Sequence, residues 1–210
     1  MKQIFATVLI LCFAVTGFAG FGGDETAHLE QKEFEYKDWT LKNLRDNSEF
    51  INLRSLAKDK KLVLVVYFAA WCPNWHREMP LVKKLSEKYK DKGFEVIAVS
   101  EYASLEETKK HATDNKLNFP IVVESEKYED REKTPHYKYR QAVGDQRKWG
   151  SPWNLFLETK EMNKNGDVLG KKFSVVTGEM IETEVEAFIR EKLGLPKETK
   201  PAGQTVADKN

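Results

Sequence analysis

An α/β fold, a sheet covered by helices on both faces, is predicted by three observations. Lys61–Ala70 (KLVLVVYFAA) is a nearly unbroken β-branched and aromatic run. Pro73–Lys92 carries apolar residues at intervals of three and four, and the segments that follow alternate strand with helix.

Lys61–Ala70 is the central strand, because a strand covered on both faces shows no polar alternation. In Pro73–Lys92 the residues Trp75, Met79, Val82, Leu85 and Tyr89 make one apolar helical stripe. Pro73 suits the first turn and Gly93 a left-handed stop, while Pro80 inside the helix is expected to kink it. Phe94–Ser100 then reads as a strand, Leu105–Asn115 as a charged helix and Phe119–Val123 as a further strand, giving the order β-α-β-α-β. Glu124–Trp149 is highly charged and reads as a surface excursion with room for one helix. Pro152–Leu157 and Asp167–Val176, with the turn signal Asn165-Gly166 between them, predict an antiparallel hairpin. Glu179–Leu193 closes the fold as an amphipathic helix with Ile181, Val185, Phe188, Ile189 and Leu193 on one face.

The chain has 210 residues, 40% of them apolar, which supplies one sizeable core and one domain. Lys and Arg number 34 against 33 Asp and Glu. That balance produces no single-signed field and excludes a nucleic-acid binder or a polybasic membrane-surface protein. Lys2, the apolar run Ile4–Val15 and the small residues 16–20 read as a secretory signal. The division is therefore a signal at 1–20, a linker at 21–35, the folded domain at 36–194 and a disordered tail at 195–210. The apolar run falls well short of the ~20 residues a membrane-spanning helix needs, so no stable span is expected after cleavage. Leu11 before Cys12 is bulky where a lipid-attachment box takes a small residue. The expected location is periplasmic or extracellular. Cleavage near Ala19 removes Cys12 and leaves Cys72 as the one thiol, so no intramolecular disulfide can form.

Trp71-Cys72-Pro73-Asn74-Trp75 places that thiol where a strand gives way to a helix. The N–H groups and dipole at a helix N-terminus stabilise a thiolate, which points to a nucleophile; the alternative is a small cysteine that only packs. His76 lies one helical turn on and could pair with the thiolate, although the dipole there opposes a cation and an exposed polar residue is the simpler reading. No cofactor and no resident metal are expected. Cys72-x-x-x-His76 has metal-ligand spacing, but a third ligand such as His111 or His136 would be needed.

Phe68-Ala69-Ala70-Trp71-Cys72-Pro73 followed by Glu78-Met79-Pro80 resembles the active-site region of exported thioredoxin-like proteins of the TlpA/ResA type, in which F-x-A-x-W-C-P-x-C and E-x-P recur. Phe119-Pro120, Gly150-Ser151-Pro152 and Leu155-Phe156-Leu157 resemble that family's later strand and its cis-proline loop. The resemblance runs from about Trp39 to Leu193. It implies a thioredoxin-like fold with a central mixed sheet, an N-terminal extension and an insertion before the cis-proline strand. It implies Cys72 as the reacting thiol, and a substrate surface from Trp71, Trp75, Ser151, Pro152 and Trp153, with Trp75 and Trp153 near the surface around the thiol and Trp149 beside them.

Two departures change the chemistry implied. Trp75 stands where the family has its second cysteine, so a mixed disulfide cannot be released from within the chain. Val66 stands where thioredoxins proper carry a buried Asp, and neither half of that acid–base machinery is visible. The function that follows is a single-thiol redox protein exchanging with client protein thiols or disulfides, or with a small thiol. The rivals are a redox-inert binding module that uses a Trp-lined face, and a Sco-like metal chaperone. A peroxidase of the peroxiredoxin kind is disfavoured, because Tyr67-Phe68-Ala69-Ala70-Trp71 contains neither the Pro nor the Thr of the pattern P-x-x-x-T/S-x-x-C.

Overall fold

The computed structural model describes residues 25–46 and 48–197. The chain enters through β1 (Thr26–Ala27), β2 (Glu30–Lys37), β3 (Thr40–Asn43) and β4 (Phe50–Asn52), then turns through the short helix α1 (Leu53–Ala57). Next come β5 (Leu62–Phe68), α2 (Pro73–Tyr89), β6 (Phe94–Ser100), α3 (Leu105–Asp114) and β7 (Ile121–Val123). After α4 (Pro135–Ala142) the chain ends in β8 (Trp153–Glu158), β9 (Val168–Val176), β10 (Glu179–Met180) and α5 (Glu182–Leu193).

Every residue of β5 is buried, as its apolar run requires of a strand covered on both faces. It lies inside an eight-stranded sheet of order β2-β9-β8-β5-β6-β7-β3-β4. β5, β6 and β7 are parallel, joined by the crossover helices α2 and α3, while β8 pairs antiparallel with both β5 and β9. The sheet is therefore mixed. The period of two along β5 divides the core. Leu62, Leu64, Val66 and Phe68 pack with the stripe of α2 and with Val185, Ile189 and Leu193 of α5. Val63, Val65 and Tyr67 face the other side, with Trp153, Leu155 and Leu157 of β8, Phe34 and Tyr36 of β2, and Tyr139 of α4.

Four sequence expectations are corrected. Residues 30–35, expected in a linker, belong to β2, which pairs with β9 along most of its length and buries Phe34 and Tyr36. Glu179 and Met180 are not the start of the last helix but a short strand parallel to β1. The excursion 124–149 is less exposed than its charge suggests: His136, Tyr139 and Arg140 of α4 are buried against β2 and β8. Trp75 and Trp153, expected near the surface, are both fully buried. The helix α2 continues through Pro80 as one element. The signal expected at 1–20 and the tail from 198 onward lie outside the described residues, among which no helix is long and apolar enough to cross a membrane.

Candidate active site

β5 ends at Phe68, and the turn that follows, closed by the Cys72 amide donating to the Ala69 carbonyl (2.9 Å), delivers Cys72 to the N-cap of α2. Pro73 follows in the first turn, and no side chain caps the helix. The thiol instead points across to the loop before β8. Cys72 Sγ donates to the backbone carbonyl of Ser151 at 3.1 Å, and Ser151 precedes Pro152 across a cis peptide bond. Ser151 also accepts the Ala69 amide on its hydroxyl (2.9 Å). One residue thus ties the strand end and the thiol to the proline loop. Cys72 is only 6% exposed, and it is the free cysteine among the described residues.

The loop is itself held by the charged excursion. Arg147 donates to the Pro152 carbonyl (3.1 Å) and to Asp145 (2.8 Å), and Asp145 also receives the buried Arg140 (3.1 Å). Burial works to raise the Asp145 carboxyl, but the Arg147 and Arg140 guanidinium groups outweigh it and hold it below the usual range. Arg140 also packs so closely across Gly150, whose φ is +60°, that a Cβ there would overlap the guanidinium.

The residues singled out from sequence do not all meet. Trp71 is half-buried beside Cys72, its indole N–H donating to the Tyr102 carbonyl (3.0 Å) and its ring 5.2 Å from that of Trp149. Trp75 turns inward, packs on Phe68 (4.7 Å) and donates to His111 Nε2 at 2.8 Å. Trp153 lies on the opposite face of the sheet, between Phe34, Tyr67 and His136. The period of two in β8 dictates this, since Trp153 shares a face with Leu155 and Leu157. Of the tryptophans expected around the thiol, Trp71 and Trp149 come together, and Trp75 and Trp153 do not join them.

His76 is exposed in the first turn of α2, as its simpler reading has it. Its Nε2 is 2.7 Å from the Ala70 carbonyl, so the imidazole braces the turn around Cys72, and its hydrogen bond is not to the sulfur. A Sco-like set of ligands is not assembled either. His111 accepts from Trp75, His136 stacks on Tyr67 (4.5 Å) across the sheet, and among the described residues no group of three His, Cys, Asp or Glu is placed to hold a metal ion. Burial pushes His111 down to about 4, with the nearby His76 acting in the same direction.

Glu78, quoted from sequence only as part of the E-x-P motif and given no role there, is a buried acid on the thiol-bearing helix. Glu78 lies on the inward face of α2 and accepts from the Met180 amide (2.7 Å) and from Asn154 Nδ2 (3.2 Å), bolting α2 to β8 and β10. Burial pushes its carboxyl up to about 8, so it keeps its proton near neutrality. The signal was present: a Glu between Trp75 and Val82, inside an otherwise apolar stripe. Across the sheet, the buried Glu101 and the half-buried Glu124 form an acid pair. Both are raised, Glu101 by burial and the neighbouring Glu124 carboxylate, Glu124 by burial.

A strand-to-helix thiol facing a proline loop, on a mixed sheet with parallel β5, β6 and β7, defines a thioredoxin-like protein. Known proteins agree. The AhpC/TSA family pattern matches residues 33–141, and the chain belongs to that family, within which it is of the TlpA/ResA thioredoxin-like type. It is 28% identical over 127 residues to the thiol-disulfide oxidoreductase ResA of Bacillus cereus, a match covering 56% of this chain and 65% of that protein. It is 32% identical over 123 residues to the thioredoxin-like protein YneN of Bacillus subtilis, covering 55% and 69%. The chain thus spans less than two thirds of the length of the first of these relatives. Among solved structures, a secreted thiol-disulfide isomerase from Corynebacterium glutamicum superposes with a TM-score of 0.56 at 14% identity, covering 78% of this chain and 92% of that one. A DsbF homologue from Corynebacterium diphtheriae gives 0.53 at 14% identity, covering 77% and 92%. At these identities the two structures speak for the fold alone.

Proposed function

We propose that this chain is a single-thiol redox protein that forms mixed disulfides through Cys72. The observation that carries the proposal is the seating of Cys72 at the N-cap of α2, its sulfur 3.1 Å from the Ser151 carbonyl of the proline loop. In the exchange, the Cys72 proton leaves and the sulfur attacks one sulfur of a client disulfide. The Cys72–client S–S bond forms as the client S–S bond breaks, and the departing client thiolate takes up the proton. Trp75 fills the place of a resolving cysteine with a buried ring, so release requires a thiol from the client or a small thiol in solution. Ser151 offers backbone beside the sulfur, and Trp71 forms the adjoining wall. Work outside the cytoplasm belongs to the same proposal and rests on the signal-like run Ile4–Val15.

Incubation with oxidised glutathione followed by peptide mapping tests this. The expected product is a glutathione adduct on Cys72 that dithiothreitol reverses. The burial of the sulfur and its bond to a carbonyl favour one rival, a redox-inert binding module. Absence of any adduct on Cys72 in the folded protein, with a full adduct after denaturation, would establish that rival instead.

A further inference from the structure

The excursion 124–149 brings two rings to Trp71. The centroids of Trp71, Tyr128 and Trp149 form a closed triangle with sides of 5.2, 5.7 and 5.7 Å. Tyr128 is 47% exposed, and Trp71 and Trp149 are half-buried, so the cluster presents an apolar face to solvent immediately beside the residue that precedes Cys72. Its position is fixed from beneath: Trp71 is bonded to the Tyr102 carbonyl, and the Tyr102 ring lies 5.8 Å from Trp149. Two cations lie over the Trp149 ring, Arg131 at 5.2 Å and Lys148 at 5.0 Å. Arg131 is matched by Glu132 and Lys133 by Asp130 (2.8 Å). Lys148 is exposed and has no acidic partner among the described residues, although Glu129 remains as the unpaired acid of the neighbouring turn.

We infer that the Trp71–Tyr128–Trp149 triangle is the docking platform for an extended client polypeptide carrying an aromatic and an acidic residue beside its reacting cysteine. The inference rests on the proposed exchange at Cys72 and adds its substrate class. An aromatic side chain gains contact area and ring-on-ring geometry on such a surface, and these are the features of residues that dominate binding energy at interfaces. An acidic neighbour meets Lys148, an exposed cation over the Trp149 ring with no acidic partner among the described residues. Two of the three rings, Tyr128 and Trp149, and the cation come from the excursion, so the preference depends on this chain's own insertion as well as on Trp71 of the thiol turn.

The test compares two short peptides, each with one cysteine activated as a 2-thiopyridyl disulfide and a Phe next to it, one flanked by Glu and the other by Lys. Reaction with the full chain carrying Cys12→Ser is followed by release of 2-thiopyridone, with dipyridyl disulfide as the reagent lacking a peptide. The acidic peptide is expected to react at least tenfold faster than the basic one, and Lys148→Glu, an exposed substitution, is expected to reverse the order. Tyr128→Ser is expected to slow the acidic peptide about tenfold. Equal rates for the two peptides, with a thiol that reacts with dipyridyl disulfide, would overturn the platform and leave the exchange chemistry standing. A thiol inert to all three reagents would overturn the exchange proposal and the platform with it. A dimer in sedimentation that Tyr128→Ser dissolves would assign the surface to a second copy of the chain and also overturn the inference.

Discussion

Replacing Glu78 by Gln removes a titrating group from the bolt between α2 and the sheet while leaving an amide oxygen to accept from the Met180 amide. The carboxyl is pushed from an ordinary 4.5 up to about 8 by burial, against the lowering effect of its bonds to Met180 and Asn154. A group raised in the folded state binds more protons there than in the unfolded chain, so its effect on stability is favourable in acid. It is lost as pH rises from 4.5 and levels off above about 8. At about 1.4 kcal/mol per unit, the full shift corresponds to about 4–5 kcal/mol. That is a large part of the ~5–15 kcal/mol that separates folded from unfolded domains. Urea denaturation of wild type and Glu78→Gln, repeated from pH 5 to pH 9, reads the difference directly. The wild type is expected to lose several kcal/mol relative to the variant across that window, with most of the loss between pH 6 and 8. Parallel profiles for the two proteins would refute the argument that Glu78 is buried and protonated near neutrality.

Trp75→Ala is expected to cost about 3–5 kcal/mol in denaturant unfolding, because the ring is wholly buried on Phe68; a cost under about 1 kcal/mol would mean that the ring is not a core element. Asp145→Ala leaves the buried Arg140 without its carboxylate and is expected to destabilise by about 3–5 kcal/mol, checked by the same assay against the exposed control Asp114→Ala. His111, depressed to about 4, is neutral in the fold and charged in the unfolded chain, so its share of stability is present above pH 6.5 and lost as pH falls through 4. His111→Gln is expected to flatten the acid limb of the stability profile over that range, as followed by thermal unfolding from pH 7 to pH 4.

The central β5-α2-β6-α3-β7 unit was legible because its signals are local and dense: a continuous apolar run, a helical stripe and a proline at the first turn. β2 was not, because Glu30–Lys37 turns only Phe34 and Tyr36 inward and reads as polar until β9 is known to cover it. The position of Cys72 at the head of a helix followed from its neighbours alone. The family resemblance already set Ser151, 79 residues away in sequence, in the surface around the thiol, but the hydrogen bond to its carbonyl became visible only with the fold. Trp75 illustrates a conflict between two kinds of inference. Its place in the stripe with Met79 and Val82 says core, while its place in the motif says site, and packing prevailed. Trp153 turned on parity: a strand residue one position from Asn154 must face the other way, and Asn154 is the one that reaches Glu78. The charge of 124–149 concealed its role, since Arg140 and Arg147 are taken up by Asp145, and Arg147 also by the distant Glu25, where they hold the proline loop.

The most direct test of the single-thiol account is a count. The full chain with Cys12→Ser, which leaves Cys72 as its one cysteine, is mixed with excess dipyridyl disulfide without added thiol. Release of one equivalent of 2-thiopyridone per chain, a stable adduct on Cys72, and recovery of the free thiol only on adding a second thiol are the predicted results. Continued release beyond one equivalent without added thiol, or no release from the folded protein, would contradict it.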